Sequence, residues 1–86
     1  HINSRMVYLY ILQSVHSSTY YIGISQNIEI RIALHNTGKV RSTKSRRPWR
    51  LVFSKEFSKR SEARQLEIKL KSIKKRSILN DIINHS

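Results

Sequence analysis

Eighty-six residues suffice for one domain, near the size at which a single core is still marginal, so no second functional module is expected within them. Seventeen Lys and Arg against five Asp and Glu give a formal charge of +12, while 38% apolar content supports a modest folded core rather than a disordered basic tail. The imbalance points to a polyanionic partner, nucleic acid ahead of an anionic membrane surface, and the absence of cysteine excludes disulfides and thiolate metal sites, which suits a reducing cytoplasm.

In chain order, residues 1–5 precede the first Met and read as a cloning remnant or an unstructured lead, leaving 6–84 as the folded unit. Met6–Leu12 is apolar and follows Arg5, but it is short for a secretory segment and no small-residue cleavage site follows, so it reads as a strand. Val7–Gln13 and Thr19–Ser25 are rich in aromatic and β-branched residues, and the polar Ser14–Ser18 connects them: a β-hairpin. Next, Ile28, Ile30, Ile32 and Leu34 alternate with polar or small residues at a strand period. Asn27 as N-cap, Glu29 in the first turn and Gly38 at the far end favour a helix instead. Either geometry puts Arg31 and His35 on one side.

Lys39, Arg41, Lys44, Arg46, Arg47 and Arg50 then follow with no acid among them; with Pro48 inside, this stretch reads as a loop or arm that tracks phosphates. Leu51–Phe57 is a third strand. Ser61 is positioned to cap a helix whose stripe is Ala63, Leu66, Leu70 and Ile73, and Ile78, Leu79, Ile82 and Ile83 suggest a last short helix. The expected fold class is α/β: a small three-stranded sheet, the N-terminal hairpin plus a third strand, flanked by helices. No internal repeat or linker interrupts it.

The segments Tyr8-Leu9-Tyr10, Tyr20-Tyr21-Ile22-Gly23-Ile24 and Leu34-His35-Asn36-Thr37-Gly38-Lys39 resemble the GIY-YIG endonuclease superfamily, closest to its small single-domain bacterial members, from about Met6 to Ile83. The resemblance implies a helix over Arg31 and His35. It also implies that Tyr10, Tyr21, Arg31, His35 and Glu67 are catalytic, that Gly23 allows close approach at the site, and that Glu67 binds Mg²⁺ or Mn²⁺. In the first triplet Tyr8 and Leu9 replace the family's Gly and Ile, and only its third position carries a functional group. The implied activity is metal-dependent hydrolysis of DNA, one strand per active site. The implied partner is DNA, branched or nicked forms included, with no membrane and no small-molecule cofactor.

The residues support parts of this independently. Arg31 offers a planar fork to a phosphate and can offset charge developing on it. Either His35 or a tyrosinate could take a proton from attacking water; a tyrosine, ordinarily titrating near pH 10, needs a metal-bound water or Arg31 beside it. Glu67 falls inside the apolar stripe of its helix, so its carboxylate needs a cation, either a metal or Arg31 in a buried ion pair. Trp49 is placed to stack on a base or to anchor the third strand. Asn80 is a candidate further site residue. The hairpin, the first helix and the Glu67 helix are expected to bring Tyr10, Tyr21, Arg31, His35 and Glu67 to one concave face. The rival to an enzyme is a nonenzymatic nucleic-acid-binding protein on the same fold.

Overall fold

The computed structural model describes residues 6–17, 19–73 and 75–85, so the lead over residues 1–5 lies outside it, as does Ser18 at the end of the expected hairpin turn. Its centre is β1 (Val7–Ser14), antiparallel to β2 (Tyr20–Ser25) on one side and to β3 (Trp49–Phe57) on the other, giving the order β2-β1-β3. The apolar run of β1 explains its place, because only a strand covered on both faces has use for successive large apolar side chains. Leu9 and Ile11 point to one face and meet Ile22, Leu70 and Leu79. Tyr10 and Leu12 point to the other and meet Trp49, Ile28 and Ile32.

Each face has its own helical layer. The first helix, α1 (Ile28–Asn36), covers the Tyr10 face, whereas α2 (Arg60–Lys71) and α3 (Arg76–Asn84) supply Leu70 and Leu79 to the Leu9 face. The helix α1 and the helix that carries Glu67 therefore cover opposite faces of the sheet. Deleting a fully buried member such as Leu9 or Leu70 would cost about 2–5 kcal/mol, since neither layer is thick enough to collapse into the gap.

The ambiguous stretch after the hairpin is a helix. Asn27 caps it, its side chain accepting from the Ile30 N–H at 3.1 Å, and Gly38 takes the left-handed φ of 82° just past its end. The strand-like alternation breaks once the backbone coils: Ile28 and Ile32, one turn apart, reach the core, and Ile30 is left 57% exposed.

Three boundaries differ from expectation. The third strand begins at Trp49, with Trp49 opposite Ser14 and Arg50 opposite Gln13, so Arg50 is a strand residue; a register shift at Ile11 and Leu12 accommodates the extension. Arg41–Arg46 forms a 3₁₀ helix rather than a loose arm, because its buried Thr43 is tied to Trp49, whose indole N–H donates to the Thr43 carbonyl at 2.9 Å. Ser61 does not cap α2. Glu62 and Ala63 already donate backbone N–H groups to the carbonyl of Lys59, which occupies the cap position without a side-chain bond.

Candidate active site

The site begins with β1 and β2. Tyr10 pairs with Gly23 across the two strands, and a Cβ built on Gly23 would lie 2.6 Å from the Tyr10 hydroxyl. Glycine there is a steric requirement of the tyrosine: the phenol lies over the gap that a missing side chain leaves. Tyr21, two residues earlier on the same face, places its ring 6.3 Å from that of Tyr10 and 4.6 Å from that of His35. His35 reaches them from α1 and is fully buried.

The His35 ring is held at both nitrogens. Nδ1 lies 2.8 Å from Thr43 Oγ1, and Nε2 lies 3.4 Å from the Tyr10 hydroxyl, a long contact. Thr43 donates its own hydroxyl to the Val40 carbonyl at 3.3 Å, so its oxygen is left to accept from Nδ1–H. That assigns the tautomer. Nε2 then carries the lone pair and accepts from Tyr10. Burial and the nearby Arg31 charge both hold the imidazole below its ordinary pKa of 6.5, so the neutral ring is the resident form near neutral pH.

Arg31, one turn before His35, brings its guanidinium to the hydroxyls of Tyr10 and Tyr21, and the Tyr10 bond raises its already high pKa further. Tyr10 responds mainly to burial, which raises its pKa above 10.0; the bond to Arg31 opposes this, while Tyr21 and Glu67 add to it. Arg31 Nε is nevertheless buried with no hydrogen-bond partner among the described residues. An orphaned buried cationic donor costs free energy unless a ligand completes it.

Glu67 belongs to the opposite layer. It is buried, 6% exposed, as its stripe position implies, but its partners are Arg64 at 3.2 Å and Lys71 at 3.1 Å, not Arg31. The postulated Glu67–Arg31 ion pair is therefore replaced by two pairs within α2. Along β2, an outer strand of the sheet, a crevice of about 320 Å³ is lined by Tyr21 and by Lys71, the partner of Glu67. The Glu67 charge is felt at the Tyr10 hydroxyl.

No group of three or more His, Asp or Glu side chains among the described residues could share a metal ion, so a divalent cation here would rest on Glu67 with water and phosphate oxygens completing its shell. The donor chemistry fits. Both oxygens of Glu67 are engaged only by side chains that are 64% and 54% exposed and free to swing outward.

The remaining candidates are placed as follows. Lys39, Arg41, Lys44, Arg46, Arg47 and Arg50 are all exposed. Arg50 donates to Gln13 Oε1 at 3.4 Å, and the Arg46 carbonyl accepts from Ser14 Oγ at 2.6 Å. Trp49 is a buried anchor, gripped also by Asn36, whose side chain accepts from its N–H at 2.5 Å and donates to its carbonyl at 3.0 Å. Asn80 accepts a short hydrogen bond from Tyr20, and Arg76 stacks over the same ring. Thr43, Arg64 and Lys71 escaped the sequence reading. Thr43 sits in a basic run with no periodicity to mark it as buried, and the i−3 and i+4 cations around Glu67 were the available signal for the other two.

Residues 6–80 match the GIY-YIG catalytic domain family. A UPF0213 protein of Staphylococcus haemolyticus is 41% identical over 76 residues, covering 87% of this chain and 92% of the relative. Another, from Natronomonas pharaonis, is 37% identical over 67 residues, covering 77% and 78%. The solution NMR structure of the UPF0213 protein from Bacillus halodurans superposes with a TM-score of 0.56 at 29% identity, covering 90% of this chain and 82% of that one. A nuclease-like domain thus spans most of the sequence, and the chain belongs to the GIY-YIG catalytic domain family.

Proposed function

We propose that the protein is a divalent-metal-dependent endonuclease that hydrolyses DNA phosphodiester bonds, one strand per active site. The observation that carries this reading is Arg31: a half-buried cation gathered with Tyr10, Tyr21 and His35, whose buried Nε has no partner among the described residues. A phosphate oxygen supplies what that donor lacks, and a guanidinium suits it because the fork matches two oxygens at once.

The roles then divide by access. His35 is fully buried and Tyr10 nearly so, and neither reaches bulk water directly; Tyr21 is half-buried and adjoins the crevice. Tyr21 is therefore assigned to the attacking water, Arg31 to the scissile phosphate, and the Thr43–His35–Tyr10 chain to positioning the two rings and receiving a proton from the phenol layer. Glu67 would hold Mg²⁺ or Mn²⁺, which when bound supplies Lewis-acid stabilisation of the phosphate and a more acidic water. In-line attack on phosphorus expels one sugar oxygen, so one site cuts one strand.

The alternative, a nonenzymatic nucleic-acid-binding protein, keeps the basic surface but has no use for the buried cluster. Incubation of supercoiled, linear and branched DNA with and without Mg²⁺ or Mn²⁺ separates the two. Metal-dependent nicking that Arg31→Ala reduces by orders of magnitude is expected; binding with no cleavage under any metal would favour the alternative.

A further inference from the structure

Beside the hairpin turn lies an open cleft of about 590 Å³, separate from the tyrosine cluster and lined by His16, Arg41, Lys44, Ser45 and Arg47. Every one of these side chains can donate a hydrogen bond, and no acid is among them. Its walls come from segments far apart in sequence that are locked together. Buried Ser14 accepts from the backbone N–H groups of His16 and Ser17, both at 3.2 Å, while donating to the Arg46 carbonyl at 2.6 Å. The Val15 N–H adds a bond to the Pro48 carbonyl at 3.0 Å. Arg47 is seated over Gly38, where any Cβ would collide with its guanidinium. A solvated charge run does not require such bracing. Cations gathered in one hollow repel each other, and a bound anion would relieve that repulsion.

The 3₁₀ helix connects this cleft to the active site. Thr43 turns inward to His35, and Arg41, Lys44 and Ser45 from the same six residues line the cleft. We propose that the cleft is a second anion site, which holds a non-scissile backbone phosphate of the nucleic-acid strand and so sets the strand's register relative to Arg31. This rests on the reading of the protein as acting on DNA. Its content is that the hollow between the hairpin turn and the 3₁₀ helix, with His16 and Ser45 as members, binds phosphate as a formed site, rather than positive charge acting wherever it lies. Contacts of this kind position a strand without reading its sequence.

The test compares two double variants that remove equal charge from exposed positions: Arg41→Gln with Lys44→Gln in the cleft, and Lys59→Gln with Lys69→Gln on the α2 side. Binding of a labelled single-stranded oligonucleotide is followed by fluorescence anisotropy across a salt series without divalent cation, so that no strand is cut. The cleft variant should bind at least tenfold more weakly and lower the slope of log K against log salt by about 1.4, two contacts at roughly 0.7 each, with far smaller changes in the α2 variant. Amide resonances of His16 and Ser45 should shift on adding the oligonucleotide. Equal losses in both variants or silent His16 and Ser45 resonances would each overturn the proposal. Nicking by wild-type protein separates its fate from that of the nuclease reading. If no metal supports cleavage but the cleft pattern appears, the site stands and the nuclease falls; if cleavage is present and the cleft variant binds like wild type, the site alone falls.

Discussion

At the residue scale, His35 shows how much a site depends on what surrounds it. Its pKa is depressed first by burial and then by Arg31, so the unfolded chain binds a proton that the folded chain refuses. Stability from this group is therefore complete above the unfolded value near 6.5 and declines as pH falls through 6.5 toward the folded pKa. An NMR titration should place the His35 midpoint below 6.5, and Arg31→Gln should move it upward without restoring it fully, because the burial remains; a midpoint at or above 6.5 in the wild type would contradict the assigned environment. Thr43 gives a second check. Thr43→Val keeps the shape but strands Nδ1–H in the interior, at a cost of about 1–3 kcal/mol, and Thr43→Ser should recover most of it. Equal melting temperatures for the Val and Ser variants would show that the hydroxyl holds nothing. Tyr10, Tyr21, Arg31 and His35 were legible as candidates because their spacing matches that of the family the sequence resembles. Thr43 was not, because a small hydroxyl residue among cations carries no burial signature until Trp49 pulls its backbone inward.

At the element scale, α2 explains why Glu67 was visible and its partners were not. The stripe Ala63, Glu67 and Leu70 is buried against the sheet, so an acid at that spacing announces itself; whether the compensating cation is Arg31, a metal or a neighbour on the same helix depends on which layer the helix joins. The fold gives it Arg64 and Lys71. Both are more than half exposed, and such pairs contribute only about 0–1 kcal/mol. Glu67→Gln should thus leave the melting temperature within a few degrees of wild type, whereas a buried pair with Arg31 would have cost roughly 3–5 kcal/mol. Metal-dependent nicking by the same variant should fall by orders of magnitude, and full activity would remove Glu67 from the metal site. The helix α1 teaches the converse: its period-2 isoleucines read as a strand, and the Asn27 cap with the following turn decided for a helix that leaves Ile30 in solvent.

At the scale of the whole molecule, +12 is carried on a fold with a radius of gyration of only 13.0 Å, so many like charges lie within a Debye length, about 8 Å at physiological salt and longer at low salt. Self-repulsion at that density opposes the compact state. Raising NaCl from low to physiological concentration should therefore raise the melting temperature in the absence of DNA, while the same change weakens DNA binding steeply; a melting temperature independent of salt would mean the charges are already compensated. Among the described residues no helix is long and apolar enough to cross a membrane.

Charge, the three strands and the helices were determined by the sequence alone, because each rests on composition or on a period within one element, whereas Tyr10, Tyr21, Arg31, His35 and Glu67 were singled out through the resemblance to a family. The 3₁₀ helix, the tautomer of His35, the partners of Glu67 and the placement of the two helical layers on opposite faces of the sheet were decided only by tertiary structure. They depend on which faces pack together. A local pattern shows that Glu67 and Tyr10 must be buried, but since strand and helix each bury a face against whichever neighbour the topology supplies, it carries no information about what they are buried against.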